Sequence, residues 1–179
     1  MSDWEPMLEA MLARRYSALK GYAVILCGDP AEADDLVQDA IVATFGAARR
    51  FDNVGTAEAY VRRAIASRFI DERRRSRTRR EALRVIGTAE DSSAASPALL
   101  AEHATDVQRA LQELSTRQRA CVVLRFLDHL STRETAHALG LSEGAVKRYL
   151  SEGMARLAPL LDVPAEIDDP EWIETKVTR

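Results

Sequence analysis

Residues 132–151, TRETAHALGLSEGAVKRYLS, decide the fold of the C-terminal half of this 179-residue chain. Ser131, just before them, and Glu134 form the pattern of a capping box, in which each side chain satisfies a backbone amide of the other residue. Gly140 suits the left-handed position that ends a helix, and Ser142 is a good N-cap for the next helix. The stretch therefore predicts two short helices joined by a tight turn.

The spacing of small and aliphatic residues indicates how these two helices pack. Ala136 is small at the expected crossing, and Val146 follows Gly140 by six residues, where it holds the second helix on the first. This spacing favours a DNA-binding helix-turn-helix over the alternative, a plain α-hairpin. Residues pointing away from the core are then candidates for base edges and phosphates. They are Ser142, Glu143, Gly144, Lys147 and Arg148 around the second helix, and Arg133 on the first.

Two further helical signals precede this motif. Val107, Ala110, Leu111 and Leu114 form one apolar stripe, and Ser115 with Gln118 forms the capping box of the following helix. The C-terminal half therefore contains four short helices.

Three longer helices are predicted in the first 84 residues. Apolar residues recur every three or four positions over about 5–27. Asp29 and Pro30 begin a second helix, with Glu32 placed to complete its capping box, and Thr56 is expected to cap a third. The third helix loses its apolar stripe towards residue 84, where arginines dominate.

The fold class predicted is all-α, with two small helical domains joined by a flexible linker. We place the first domain at residues 1–84, the linker at 85–106 and the second domain at 107–161, which contains the helix-turn-helix. The linker is rich in Ala, Ser and acidic residues and shows no helical period before Val107. An acidic tail occupies 162–179.

Charge is segregated along the chain although the net charge is only -3. Residues 49–84 carry 12 arginines and 5 carboxylates, and residues 113–158 are also net basic. Residues 1–48, the linker and the tail are net acidic. The two basic blocks suit a polyanion, and the acidic blocks suit a basic protein surface.

Several classes of protein are excluded or disfavoured. No run of apolar residues reaches the ~18 needed to span a membrane, and the first residues lack the features of a signal peptide, so we expect a cytoplasmic protein without membrane contact of its own. Cys27 and Cys121 lie far apart in apolar surroundings, which indicates buried free thiols and no metal site. The three histidines lie on separate segments with no nucleophile or metal-ligand pattern, so no catalytic residues, no cofactor and no enzyme are predicted.

Two blocks resemble the sigma-70 family of RNA polymerase sigma factors, of the short extracytoplasmic-function (ECF) type. AEADDLVQD at 31–39 and YVRRAIASRFID at 60–71, followed by arginines, resemble conserved region two of that family. Residues 114–157 resemble region four. The resemblance implies an alternative sigma factor that binds core RNA polymerase and directs it to promoter DNA. It also implies that the factor recognises the minus-ten and minus-thirty-five elements and assists melting, with an anti-sigma protein as a further candidate partner.

The resemblance assigns roles to residues of each block. The exposed polar side of the second helix is expected to bind polymerase through Asp34, Asp35, Gln38 and Asp39. Contact with the minus-thirty-five element is assigned to the helix-turn-helix residues given above. The residues assigned to contact with the minus-ten element and to melting of the DNA there are Phe51, Asn53, Arg62, Arg63, Ser67, Arg73 and Arg74. Among the aromatic residues, Phe51 is the preferred candidate for stacking on a base, whereas Tyr60 and Phe69 are predicted to lie in the core.

Two other functions remain open at this point. The chain could be a helix-turn-helix regulator that acts without polymerase, or a sigma-like decoy for an anti-sigma protein. A separate hypothesis concerns the tail, where Trp172, Ile173 and Val177 could share one side of a helix. Two alternatives are open for this segment: it is a frayed terminus, or, by our hypothesis, it folds back on a basic DNA-binding surface.

Overall fold

The computed structural model describes residues 4–46, 50–86 and 105–162, and the elements within these ranges are helices. The N-terminal lobe contains α1 (Glu5–Cys27), α2 (Pro30–Gly46) and α3 (Val54–Ile86). The C-terminal lobe contains α4 (Asp106–Gln112), α5 (Thr116–Val122), a π-helical turn (Val123–Leu127), α6 (Thr132–Leu139) and α7 (Glu143–Leu161). The all-α fold in two parts is therefore confirmed.

The three helices of the N-terminal lobe pack against one another around a shared core. Leu19, Val37, Ile65 and Phe69 are among its fully or almost fully buried side chains. Helix α1 contributes Met11 and Tyr22 to this core and leaves Leu12 exposed. Burial of these apolar side chains is the main force that holds the lobe together.

Asp29 and Pro30 begin α2 as predicted, but the role expected of Glu32 is wrong. The Asp29 carboxylate accepts hydrogen bonds from the amides of Ala31 and Glu32, both at 2.8 Å. The Glu32 carboxylate instead accepts a 2.8 Å hydrogen bond from Arg73 of α3. A tertiary ion pair has therefore displaced a local cap.

The cap of α3 also differs from the prediction. Asn53, not Thr56, precedes the first turn, and its side-chain oxygen accepts a 2.9 Å hydrogen bond from the Thr56 amide. Beyond Ser76 the described side chains of α3 are exposed, so its arginine-rich end projects from the lobe.

The C-terminal lobe begins its helices with the predicted side-chain caps. Ser115 and Ser131 each form a complete capping box, and Thr105 forms a third one that the sequence analysis did not include. Gly140 ends α6 in the left-handed conformation, with φ of 62°. Gly153 allows α7 to approach α5, since a Cβ there would lie 3.1 Å from a Val122 methyl carbon.

The two lobes pack against each other, an arrangement that the sequence analysis did not include. Helix α4 contacts α1, and both α5 and α6 contact α3. The predicted linker lies outside the described residues except at its two ends, where α3 continues to Ile86 and α4 begins at Asp106. The tail hypothesis concerns residues that also lie outside the described part of the chain.

Candidate nucleic-acid interface

Helices α6 and α7 form a helix-turn-helix whose core contacts match the predicted spacing. Ala136 is 4% exposed and Val146 is 0% exposed, so the crossing of the two helices is closely packed. The Ser142 hydroxyl accepts a 3.2 Å hydrogen bond from the Ala145 amide, which fixes the start of α7. The start of α7 is thereby presented on a rigid support.

The candidates for contact with the minus-thirty-five element surround this start. Ser142, Glu143, Gly144 and Arg148 are exposed, as is Arg133 on α6, whereas Lys147 is half-buried. Arg148 extends over the Tyr149 ring, with its guanidinium carbon 5.1 Å from the ring centre. These positions leave a polar, mainly basic side of the motif open to a ligand.

Tyr149 and Arg117 join this surface, and the sequence analysis missed both. Arg117 of α5 donates a 3.1 Å hydrogen bond to the Tyr149 hydroxyl. This hydrogen bond and the charge of Arg148 lower the pKa of Tyr149. The Ser115–Gln118 capping box marks the start of α5, the helix that carries Arg117. This signal in the sequence could have pointed to Arg117.

Four aromatic rings form a row on the N-terminal lobe, and their order corrects the prediction for Tyr60. The ring centres of Phe45 and Phe51 lie 5.4 Å apart, and those of Phe51 and Tyr60 lie 5.4 Å apart. Trp4 extends the row beyond Phe45. Phe51 is half-buried among its neighbours, whereas Tyr60 is 38% exposed, so the prediction that Tyr60 is a core residue is wrong. Phe69 does lie in the core.

Arg62 and Arg63 lie on α3 close to the C-terminal lobe. Arg62 donates to Glu58 at 2.8 Å and to Asp128 of the C-terminal lobe at 3.1 Å. Burial opposes the charged form of Arg62, yet these hydrogen bonds raise its pKa overall. The guanidinium of Arg63 lies 5.7 Å from the centre of the exposed Tyr60 ring.

The remaining minus-ten candidates are distributed over other parts of the lobe. Asn53 acts as the cap of α3, and Arg74 is exposed with Asp71 3.8 Å away. Ser67 and Arg73 line a groove between α2 and α3. Arg73 is held there by Glu32 and by the carbonyl of Cys27, so the structure separates it from Arg62 and Arg63.

The polymerase-binding candidates lie on α2, and three of them line the same groove. Asp35, Gln38 and Asp39 are exposed on its wall. Asp34 faces α1 instead, where Lys20 donates a 2.7 Å hydrogen bond to its carboxylate. The acidic side of α2 is therefore divided, with Asp34 already ion-paired within the lobe.

The carboxyl end of α1 binds polar groups from the C-terminal lobe. Gln112 donates to the carbonyl of Ile25 at 3.2 Å, and Arg119 donates to the carbonyl of Leu26. Arg119 is 8% exposed, and burial is the main reason that its pKa falls to about 10. These side chains satisfy carbonyls that a helix end leaves without partners.

The fold and this site define a class of protein: two helical lobes, of which one carries a helix-turn-helix and the other an arginine-rich helix beside an aromatic row. Comparison with known families is consistent with that class. The family model described as Sigma-70 region 2 matches residues 11–80, and the model described as Sigma-70, region 4 matches residues 104–157.

The chain belongs to the sigma-70 family, and its relatives are of the ECF type. It is 33% identical to the RNA polymerase sigma-E factor of Streptomyces coelicolor, with 83% of this chain and 82% of the relative covered. It is 30% identical to the ECF RNA polymerase sigma factor SigM of Mycobacterium tuberculosis, with 86% and 76% covered. A solved structure of the sigma factor RpoE, in complex with the anti-sigma factor NepR from Bartonella quintana, matches with a TM-score of 0.59 and 25% identity, covering 91% of this chain and 99% of that one.

Membership of this family makes the chain an alternative sigma factor, which directs core RNA polymerase to promoter DNA. Sigma factors are transcription initiation factors and not themselves enzymes. Among the described helices, none is both long and apolar enough to cross a membrane.

Proposed function

We propose that the two lobes divide promoter recognition between them. The C-terminal lobe binds the minus-thirty-five element as duplex DNA, and the N-terminal lobe binds the minus-ten element and assists its melting while it is docked on polymerase. The polymerase supplies the chemistry, so this chain needs no catalytic residue and no cofactor, and it acts in the cytoplasm. The observation that carries the proposal is the order of the two matched regions together with the helix-turn-helix geometry of the second.

At the minus-thirty-five element, α7 enters the major groove with its N-terminal end. Arg148 reads a base edge, whereas Arg133 and Lys147 bind phosphates. Ser142, Glu143 and Gly144 lie at the start of α7, the part of a recognition helix that approaches the bases. The exposed side chain of Arg148 and the capped start of α7 support this role.

At the minus-ten element, α3 and the loop before it bind the opening strand. Tyr60, with Arg63 beside its ring, is a better candidate than Phe51 for stacking on a base. The Phe51 ring packs against the Tyr60 ring. Arg62, Arg63 and Arg74 bind phosphates of the strand. Asn53, Ser67 and Arg73 contribute to the shape of this region, the first as a helix cap and the other two in the groove beside α2.

The groove between α2 and α3 is the proposed docking site for polymerase. Asp35, Gln38 and Asp39 on its wall offer carboxylate and amide groups to a basic partner surface, and Asp34 stiffens this side through its ion pair with Lys20. By likeness to the solved complex, an anti-sigma protein is a further partner of this chain.

In-vitro transcription with core polymerase on a genomic library tests the proposal. We expect transcripts whose start sites share two upstream sequence blocks. If no transcript depends on this chain, and if it shifts DNA fragments equally with and without core polymerase, the chain acts as a stand-alone helix-turn-helix regulator. If it binds neither DNA nor core polymerase, it is a decoy.

Charge reversal tests the docking site by itself. The double variant Asp35→Arg/Gln38→Ala should lose co-purification with core polymerase, because the carboxylate and amide at the groove wall are replaced. Glu9→Arg on α1 is the matched control, since Glu9 is also exposed but lies outside the groove. Equal co-purification of both variants and the parent protein, all with helical circular dichroism, would refute the docking assignment.

A further inference from the structure

Arg148 of α7 has two neighbours that restrain its guanidinium. The guanidinium carbon lies 5.1 Å from the centre of the Tyr149 ring, and the Nε atom of Arg148 lies 3.9 Å from Oε1 of Glu152. Glu152 follows Arg148 by four residues and therefore lies on the same face of the helix. The ring and the carboxylate restrict the guanidinium, although 63% of the Arg148 side chain stays exposed.

Glu152 is itself anchored by Gln118 of α5. The side-chain amide of Gln118 donates a 2.9 Å hydrogen bond to Oε2 of Glu152, the carboxylate oxygen that does not face Arg148. The oxygen of the same amide accepts a 3.1 Å hydrogen bond from the backbone amide of Ser115, as part of the capping box. Because Gln118 is 5% exposed and is bonded through both ends of its amide, it holds Glu152 in one orientation.

Tyr149 is anchored by the neighbouring residue of α5, Arg117. The Arg117 guanidinium donates a 3.1 Å hydrogen bond to the Tyr149 hydroxyl, and its central carbon lies 6.0 Å from the centre of the ring. The ring therefore interacts with two arginines, one from each helix. Attraction between a cation and the electron-rich face of an aromatic ring favours this placement of the Arg148 guanidinium.

These contacts connect Arg148 to a helix that lies outside the helix-turn-helix. Arg117 and Gln118 are consecutive residues in the first turn of α5, and α5 packs on α7. Arg117 acts through Tyr149, and Gln118 acts through Glu152. We call these four side chains the Arg148 support. The orientation of Arg148 therefore depends on how α5 begins as well as on the helix that carries the arginine.

The Arg148 support leaves one edge of the guanidinium open to a ligand. The Nε atom of Arg148 faces Glu152, so the two terminal nitrogens are the donors that remain. Together these two nitrogens match the O6 and N7 acceptors that guanine presents in the major groove. A guanidinium that is already oriented loses less conformational freedom when it forms both hydrogen bonds. The geometry thus suits bidentate recognition of guanine.

We propose that Glu152 and Tyr149 are positioning residues, which fix Arg148 for bidentate recognition of a guanine in the minus-thirty-five element. Arg117 and Gln118 of α5 hold these two residues in place. This inference rests on the proposed role of Arg148 as a base-reading residue. It adds that the preference for guanine comes from the Arg148 support together with the arginine. An arginine without this support would still attract phosphates but would discriminate less between bases.

The test measures how well the full-length protein, bound to core polymerase, discriminates between two promoter duplexes. One duplex has a G·C pair at the position where Arg148→Ala relaxes base preference, and the other has A·T there. The ratio of the two affinities is the discrimination factor, for which we expect about 5- to 150-fold in the parent protein. Glu152→Gln keeps the size of the side chain but removes the charge that faces Arg148, so it should lower this factor about two- to fivefold.

Three further variants show whether the effect belongs to the Arg148 support. Tyr149→Leu removes the ring and should lower the discrimination factor, whereas Tyr149→Phe keeps the ring, loses only the hydrogen bond from Arg117, and should fall between Tyr149→Leu and the parent. Glu113→Gln is the matched control, because it removes an exposed carboxylate of the same lobe at the end of α4. Both Glu→Gln variants should bind all duplexes somewhat more tightly, but only Glu152→Gln should change the discrimination factor.

Combination with Arg148→Ala separates positioning from direct contact. In that background Glu152→Gln should change no base preference, because no guanidinium is left to orient. A preference that Glu152→Gln alters even without Arg148 would mean that Glu152 contacts DNA itself, which overturns the inference. If Arg148→Ala relaxes a preference that Glu152→Gln and Tyr149→Leu both retain, the inference fails while the proposed function stands. If Arg148→Ala leaves every preference unchanged, the proposed role of Arg148 fails and the inference fails with it.

Discussion

At the scale of single residues, Thr135 of α6 shows how a buried polar atom affects stability. Its side chain is 0% exposed, and its hydroxyl finds no hydrogen-bond partner among the described residues. Burial of an unpaired hydroxyl costs about 1–3 kcal/mol relative to a paired one. An apolar side chain of the same shape would avoid that cost.

Thr135→Val should therefore raise the free energy of unfolding by about 1 kcal/mol. Urea denaturation followed by circular dichroism gives the measurement. Thr78→Val on the exposed part of α3 is the control, and its effect should stay within about 0.5 kcal/mol. A destabilised Thr135→Val would mean that the hydroxyl has a partner, such as an ordered water.

Arg148 tests readout at the minus-thirty-five element. Its exposed guanidinium lies over the Tyr149 ring, which orients it, and its ion pair with Glu152 is long, at 3.9 Å. Arg148→Ala should lower promoter use by the equivalent of ~1–3 kcal/mol and relax the preference at one position of the element. Arg14→Ala, an exposed arginine of α1, controls for the loss of charge. A uniform weakening on all sequences, with a shallower salt dependence, would identify a phosphate contact instead.

At the scale of elements, the caps determine where the helices begin. Ser115, Ser131 and Ser142 could each be predicted, because the capping pattern is local in sequence. Thr56 was mistaken for the cap of α3 because Asn53, Gly55 and Thr56 all suit a turn, and local chemistry does not rank them. The π-helical turn at Val123–Leu127 had no signal in the apolar pattern.

Asn53 was predicted as a DNA contact, and its capping role gives it a separate, measurable effect. Asn53→Ala should destabilise the protein by about 1 kcal/mol, because the amide of Thr56 loses its acceptor. Asn53→Ser keeps a neutral acceptor and should keep the stability. If Asn53→Ser is as stable as the parent yet binds a single-stranded oligonucleotide of the minus-ten sequence less well, the residue serves both purposes. Full stability of Asn53→Ala would contradict the capping role.

At the scale of the whole molecule, the contact between the lobes could not be read from the sequence. It is made by side chains far apart in the chain, such as Tyr22 with Asp128 and Arg119 with the carbonyl of Leu26. Helical periodicity predicts which side of a helix is buried, but not which other helix covers it. The same limit explains Glu32 and Asp34, whose partners Arg73 and Lys20 lie on other helices. The fold class and the helix-turn-helix could be predicted from the sequence order and the family resemblance. Both of these features depend on the spacing of residues close together in the sequence.

Burial of titratable groups in both lobes makes the whole protein sensitive to alkaline pH. Burial raises the pKa of Cys27 to about 11 and that of Cys121 to about 12, and burial with the nearby Asp128 raises the pKa of Tyr22. In the unfolded chain a thiol ionises at ~8.5. The unfolded state therefore loses protons first as the pH rises, and the stability contributed by the neutral thiols is present below about pH 8.5 and declines above it.

We expect the free energy of unfolding to fall between pH 8 and pH 10 by on the order of 1–2 kcal/mol for each thiol. The window ends near pH 10, where the tyrosines of the unfolded chain also begin to ionise and add to the slope. Urea denaturation at several pH values gives the slope. The variant Cys27→Ala/Cys121→Ala is less stable at pH 7 because it creates cavities, but its slope over this window should be shallower. An equal slope in the variant and the parent would show that the two thiols do not cause the alkaline loss.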